Sequence, residues 1–318
     1  MRFNTWSMDL SSWLAARPRV VREEGFGPAV SLSVQDVARQ LGRLALPYDP
    51  RETPVYEREW DALVLLDACR VDALAAVTSE YEFLPDEIPS IRSTASASKD
   101  WMRTNFTEAY TDEIRRTAYV TANPFSEGQV DSDAFVDVDE VWTYGWDEGV
   151  GTVPARHVTD RAVAAGRSSD CERLLVHYMQ PHFPSVPDPI GSGIDIETFG
   201  EGWHSVWDRL AAGELSRERA WDSYLANLRY VLNDVVVLLS NLDAERVVIS
   251  ADHGNSFGEW NVYGHPPGCP IGAVRRVPWV ETEATDTGEY EPTFERPADV
   301  DKATSETVEK RLQNLGYV

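Results

Sequence analysis

Short runs of aliphatic and β-branched residues alternate along this chain with longer stretches of helical periodicity. Ala62-Leu-Val-Leu-Leu66, Thr117-Ala-Tyr-Val-Thr121, Leu174-Leu-Val-His-Tyr178 and Arg246-Val-Val-Ile-Ser250 read as buried strands, because an apolar run with little polar alternation needs cover on both faces. Between them the segments 70–80, 99–110, 154–166 and 216–241 read as helices. In the last of these, Trp221, Tyr224, Leu225, Leu228, Val231, Leu232 and Val235 recur at spacings of three and four and make one apolar face. Strands alternating with helices predict an α/β fold, a mainly parallel central sheet with helices on both faces. Residues 1–50 hold one predicted helix, Val34 to Leu44, and are expected to be an appendage to a main domain over residues 51–318. An acidic, turn-rich tail is expected from Glu281 to Asp301.

Composition narrows the class without naming a reaction. The 318 residues are 42% hydrophobic, enough for a real core. No apolar run approaches the roughly 20 residues that cross a bilayer, and the first residues lack an apolar signal region, so a cytoplasmic protein without a transmembrane segment is expected. Three cysteines, Cys69, Cys171 and Cys269, without paired spacing suggest neither a disulfide framework nor a zinc knuckle. A net charge of −24 disfavours nucleic acid as a partner, since that binding depends on clustered cations. Lys99, Lys302 and Lys310 are the lysines among 29 basic residues, and this acidic, arginine-over-lysine balance resembles halophilic proteins, whose self-repulsion is screened by salt. Oligomeric state has no signature in the chain.

Ligand sites of open parallel sheets lie beyond the carboxyl ends of the strands. The first strand ends in Asp67-Ala-Cys-Arg-Val-Asp72, the third continues into Gln180-Pro-His-Phe-Pro184, and the fourth ends in Asp252-His-Gly254. Gly264-His265 follows a glycine-containing loop. An Asp after a strand also serves as a helix N-cap, and His182 between prolines also fits a turn. Asp252 and His253, adjacent after an apolar strand, need partners if buried, and a divalent cation is one. Carboxylate and imidazole suit Mg²⁺, Mn²⁺, Zn²⁺ or Ca²⁺ without selecting among them.

The segment Asp252-His-Gly-Asn-Ser-Phe-Gly-Glu-Trp-Asn-Val-Tyr-Gly-His265 resembles the "S-D-H-G-E-x-x-G-E-H-G…G-H" stretch of the alkaline phosphatase and sulfatase-like superfamily. Tyr224 to Asp234 is similar to the helix that precedes that stretch, Leu175 to Pro184 to "H-x-x-x-P-H-x-P", Arg276-Val-Pro278 to "R-V-P", and Asp67 to Asp72 to "D-G-x-R-x-D". The matches keep the family's order over about residues 60–280. This resemblance implies an alkaline-phosphatase-like fold, with Asp67, Asp252 and His253 holding one divalent metal and a hydroxyl nucleophile completing the shell. The segment Ser93-Thr-Ala-Ser-Ala-Ser-Lys-Asp-Trp101 would supply that hydroxyl from just before a helix, where backbone donors favour anions. Ser96 is preferred for its spacing to Trp101, with Thr94 and Ser98 as alternatives; all three hydroxyls would otherwise act as helix caps. His182 and His265 would bind nonbridging oxygens or protonate the leaving group, and Arg70 or Lys99 would neutralise substrate charge.

The chain departs from that pattern in two places. Cys69 lies in Cys-Arg-Val-Asp-Ala73 and not in the "C-x-P-x-R" of type I sulfatases, and Tyr178 stands where two-metal relatives carry an Asp. One metal site is therefore expected, with Asp188 the candidate carboxylate for a second. The expected activity is metal-dependent hydrolysis or transfer of a phosphate or sulfate ester, on a small or a glycan- or lipid-linked anionic substrate. The alternative is a binding protein that keeps the fold around a degraded site. A serine esterase is disfavoured by the absence of a G-x-S-x-G elbow. Specificity is expected in loops 123–152 and 185–215, where Trp142, Tyr144, Trp146, Trp203 and Trp207 either stack on a ligand or pack against the surface.

Overall fold

The computed structural model describes residues 52–167, 171–190, 205–298 and 304–315. The expected appendage over residues 1–50, its helix from Val34 to Leu44, and Trp203 lie outside the described residues. Residues 49–318 form one compact unit.

Among the described residues nine strands follow in chain order: β1 (Ala62–Leu66), β2 (Ser90–Arg92), β3 (Thr117–Thr121), β4 (Asp137–Glu140), β5 (Arg173–Tyr178), β6 (Ala244–Ser250), β7 (Ser256–Phe257), β8 (Tyr263–Gly264) and β9 (Arg276–Ala284). Seven build one sheet in the order β2-β9-β6-β1-β5-β3-β4, and β7 and β8 pair as a separate short hairpin. The β6-β1-β5-β3-β4 block is parallel, while β9 runs antiparallel to both β6 and β2.

Side chains alternate across the sheet as the strand period requires. Ala62, Val64 and Leu66 of β1 join Val176 and Tyr178 of β5 and Ile249 of β6 in one core layer. Leu63, Leu65, Tyr119, Leu175 and Val248 enter the layer on the opposite face. The first layer is covered by helices Ala155–Gly166 and Arg217–Leu239, the second by helix Ser98–Asn105 through Trp101 and Met102. This is the predicted α/β architecture, a mainly parallel sheet with helices on both faces. The long helix starts where the Ser216 hydroxyl accepts the amide of Arg219 and buries Tyr224, Leu228, Val231, Leu232 and Val235 along one stripe.

Two expectations change. Residues 281–284, read as the start of a tail, complete β9, whose register pairs Glu281 with Val248 and Thr282 with Val247. The segments 70–80 and 99–110 each divide into a short α-helix and a single 3₁₀ turn, Thr78–Glu80 and Glu108–Tyr110. Among the described residues no helix is long and apolar enough to cross a membrane.

Candidate active site

Each central strand delivers a polar residue to the carboxyl edge of the sheet. Asp67 follows β1, Asn123 lies beyond β3, His177 is near the end of β5, and Asp252 and His253 follow β6. The backbone is shaped to gather them. Ala68, where the resembling motif has glycine, sits at φ 60; its amide donates to Asp252 Oδ1 at 3.1 Å and its carbonyl accepts from the Tyr224 hydroxyl at 2.7 Å. Gly254 donates to the Val274 carbonyl at 2.7 Å, and a Cβ at this residue would overlap the Ala273 carbonyl.

Asp67, Asp252 and His253 form a buried cluster whose ligand atoms lie within 4.8 Å of one another. Ser98 Oγ lies 3.3 Å from Asp67 Oδ2 and 3.4 Å from His253 Nε2. Asn123 Nδ2 donates to Asp67 Oδ2 at 2.7 Å. His253 Nδ1 faces the Gly254 carbonyl at 3.0 Å; a carbonyl only accepts, so Nδ1 carries a proton. The other nitrogen, Nε2, is then 3.4 Å from Asp252 Oδ2 and 3.8 Å from Asp67 Oδ1. Two carboxylates and an imidazole lone pair converge here in a buried cluster, and Asp252 Oδ2, which has no hydrogen-bond partner among the described residues, calls for one. A divalent cation bound by carboxylate oxygen and imidazole nitrogen fits that requirement.

Histidines surround this cluster. His177 Nε2 approaches Asp67 Oδ2 at 3.6 Å and Asp252 Oδ2 at 3.8 Å, and its Nδ1 meets the Tyr119 hydroxyl at 3.1 Å. Burial alone would raise the Asp67 carboxyl, but His177, His182 and His253 outweigh it and hold the group well below the carboxylate range. His182 and His265 meet Nε2 to Nε2 at 3.0 Å, and the His265 ring stacks on His253 at 4.2 Å between centroids. Burial pushes both below the ordinary imidazole range, and for His265 the neighbouring His253 and His182 add to the effect. His182 Nδ1 donates to the Phe183 carbonyl at 2.6 Å, so in the neutral pair the proton between the rings belongs to His265.

The sequence candidates thus separate. Asp67, Asp252, His253, His182 and His265 converge, and Ser98 is the hydroxyl of the three that reaches them. Ser96 Oγ instead donates to the Pro266 carbonyl at 3.0 Å and accepts the Cys269 amide at 3.1 Å. Thr94 Oγ1 accepts from Asn105 Nδ2 at 3.1 Å. The Ser96 hydroxyl, preferred from the sequence, is thus engaged by Pro266 and Cys269, while Ser98 lies beside Asp67 and His253. Helix capping does not explain Ser98, since Ala97 occupies the cap and the helix start has no side-chain cap bond.

Arg70 is engaged by the scaffold. It binds both Asp72 oxygens at 2.8 and 2.6 Å, and its Nη1 serves the Asn255 carbonyl and Glu259 Oε1, each at 2.9 Å, with its plane over Trp221. Its donors are committed to the scaffold. Lys99, next to Ser98, is partly buried and makes no ion pair among the described residues. Asp188 accepts Arg219 at 2.6 and 2.7 Å in a half-exposed ion pair, which removes it as a second-metal carboxylate. Trp142 and Trp207 are buried and Tyr144 donates to Asp139, whereas Trp260, not singled out, is 87% exposed.

Sequence reasoning missed His177 and Asn123. His177 looked like one polar residue in a core strand, although it opens the "H-x-x-x-P-H-x-P" stretch; Asn123 followed a strand end directly.

Fold and cluster together define an α/β protein with a buried Asp-Asp-His cluster, able to hold a metal ion, at the carboxyl edge of its sheet. No family model matches the sequence, and the search of curated proteins gives no significant match. Among solved structures the chain is similar to the membrane protein lipooligosaccharide phosphoethanolamine transferase A from Neisseria meningitidis, at 15% identity and TM-score 0.49, covering 89% of this chain and 59% of that one. The C-terminal periplasmic domain of EptC from Escherichia coli, in complex with zinc, gives 13% identity and TM-score 0.45 over 76% of this chain and 78% of that one. A protein of the alkaline phosphatase superfamily from Vibrio parahaemolyticus gives 11% identity and TM-score 0.38, covering 80% and 68%.

Proposed function

We propose that this chain is a metal-dependent enzyme of the alkaline phosphatase and sulfatase-like superfamily that hydrolyses or transfers a phosphate or sulfate ester, with Ser98 as nucleophile. One observation carries the reading: the Ser98 hydroxyl stands between Asp67 and His253 at 3.3 and 3.4 Å, beside Asp252, in a buried cluster whose ligand atoms could hold a cation. Asp67, Asp252 and His253 would hold the cation, which when bound neutralises developing negative charge and lowers the pKa of the hydroxyl. Ser98 Oγ attacks phosphorus or sulfur, forming one ester bond as the bond to the departing oxygen breaks. The proton that the Ser98 hydroxyl gives up leaves on the departing oxygen, and the N–H that neutral His265 holds against His182 can donate a hydrogen bond to that oxygen or to a nonbridging one. Asn123 holds Asp67 in place, and Lys99, the residue after Ser98, would neutralise remaining anionic charge of the substrate. Hydrolysis and transfer differ only in whether water or another hydroxyl takes the group from Ser98.

Metal analysis of the purified protein in high salt, joined to assays on p-nitrophenyl phosphate, bis-p-nitrophenyl phosphate and p-nitrophenyl sulfate, tests this. About one divalent ion per chain and turnover lost on chelation are expected. For Asp252→Ala, kcat/KM falls about 10³- to 10⁴-fold, or about 4–5.5 kcal/mol. A chain that carries no divalent ion, with Asp252→Ala equal to wild type, refutes the reading.

A further inference from the structure

Ser93, the first residue beyond β2, is buried and uses all its polar groups. Its hydroxyl donates to the Asp252 carbonyl and accepts the Ala95 amide at 3.2 Å. Its amide donates to the Arg275 carbonyl at 2.7 Å, and its own carbonyl takes two N–H groups of the Arg275 guanidinium at 3.1 and 2.7 Å. The bond to Asp252 joins positions 159 residues apart. One of the joined segments leads to Ser98; the other carries Asp252 and His253.

The sheet links these segments only indirectly, through β9 between β2 and β6. The β2–β9 ladder ends with Arg92 opposite Arg276, and residues 94–97 are neither strand nor helix before Ser98 opens its helix. Between the last ladder pair and Ser98, the turn is tied to the site segment by Ser93 and, farther along, by Ser96 on Pro266 and Cys269. The fold has separate supports at this edge, such as Ser250 Oγ on the Pro278 carbonyl at 2.7 Å and the Gly254 amide on Val274.

We propose that Ser93 is a positioning residue whose hydroxyl sets the distance between the Ser98 turn and the Asp252–His253 pair. This rests on the proposed function and adds a residue that touches neither cation nor substrate. Removing the hydroxyl leaves the Asp252 carbonyl and the Ala95 amide without their bond and lets the turn drift. A drift near 1 Å between reacting groups costs about 10²-fold in rate.

The test compares Ser93→Ala, Ser93→Thr and Arg275→Gln with wild type in kcat and KM for p-nitrophenyl phosphate per bound metal, and in the visible absorption of the Co²⁺-loaded protein. Ser93→Ala is expected to lower kcat about 30- to 100-fold with KM within about threefold, and to alter the Co²⁺ bands. Ser93→Thr, which keeps the hydroxyl, restores both to near wild type. Wild-type kcat per bound metal with unchanged bands in Ser93→Ala, or a threonine variant as impaired as the alanine one, overturns the proposal. If Ser93→Ala fails to fold, Arg275→Gln keeps the hydroxyl but frees the Ser93 carbonyl, and a smaller kcat loss with shifted bands is expected; wild-type values there overturn it. A wild-type protein that binds Co²⁺ but turns over no ester refutes the proposed function, and the bands alone then decide the role of Ser93.

Discussion

The stretch from Asp67 to Asp72 runs through two environments only a few residues apart. At its start, Asp67 shares a buried space with Asp252 and His253, where Asp252 Oδ2 has no hydrogen-bond partner among the described residues. At its end, Arg70 lies among Asp72, Glu259, the Asn255 carbonyl and the faces of Trp221 and Phe257, and every partner answers its charge. Both places hold charged groups out of water. The first is a cluster that could hold a cation from outside, whereas the second is paired within the chain. Two charged residues of one motif thus differ in surroundings: Asp67 lies in the cluster that could hold a cation, while Arg70 is engaged by the scaffold.

The sharpest way to break this contrast is at the nucleophile. Ser98→Ala should lower kcat by more than about 10³-fold while Ser96→Ala lowers it less than about tenfold, measured on p-nitrophenyl phosphate in high salt. The reverse pattern would return the role to Ser96. On the satisfied side, Arg70→Met should cost about 2–4 kcal/mol in denaturant unfolding, because Glu259 loses its buried partner, yet leave metal content at wild-type level. Loss of metal would place Arg70 in the site after all.

Acid titration sharpens the same point at smaller scale. Arg70, against the upward push of burial, holds the Glu259 carboxyl down from 4.5 to about 2. The depressed folded value means this contribution is fully present above pH 4.5 and fades as pH falls toward about 2, as the unfolded chain takes up the proton first. After allowance for solvent screening it amounts to about 1–2 kcal/mol, and Glu259→Gln should flatten the stability curve over that window. The smallest effect is expected at Ala68, whose left-handed backbone disfavours a side chain. Ala68→Gly should raise stability by at most about 1 kcal/mol in thermal unfolding, because the relief is partly offset by the more flexible unfolded chain.

What the chain discloses in advance follows from these differences. The strands β1, β3, β5 and β6 were legible because both of their faces are covered, leaving unbroken apolar runs. The strands β4 and β9 were not. Asp137–Glu140 is an acidic edge strand whose Asp139 is answered only in three dimensions, by Arg161 and Tyr144. Arg276–Ala284 contains a proline and three charges, which imitate a tail. Asp67, Asp252 and His253 stood out as polar residues directly after apolar strands. The choice among Thr94, Ser96 and Ser98 did not, since hydroxyls at every second position look alike until the turn selects which one faces inward.

The path between β6 and β9 has a consequence for how such a centre changes over time. The chain leaves the sheet at Ser250, contributes Asp252, His253 and His265, and returns at Arg276 to the strand position immediately alongside. Exit and re-entry are neighbours, so this single excursion can be lengthened, shortened or exchanged between homologous scaffolds without disturbing the order of the remaining strands. Grafting residues 251–275 is thus the economical unit for recombining substrate preference while the opposite wall, with Asp67 and Ser98, stays as inherited.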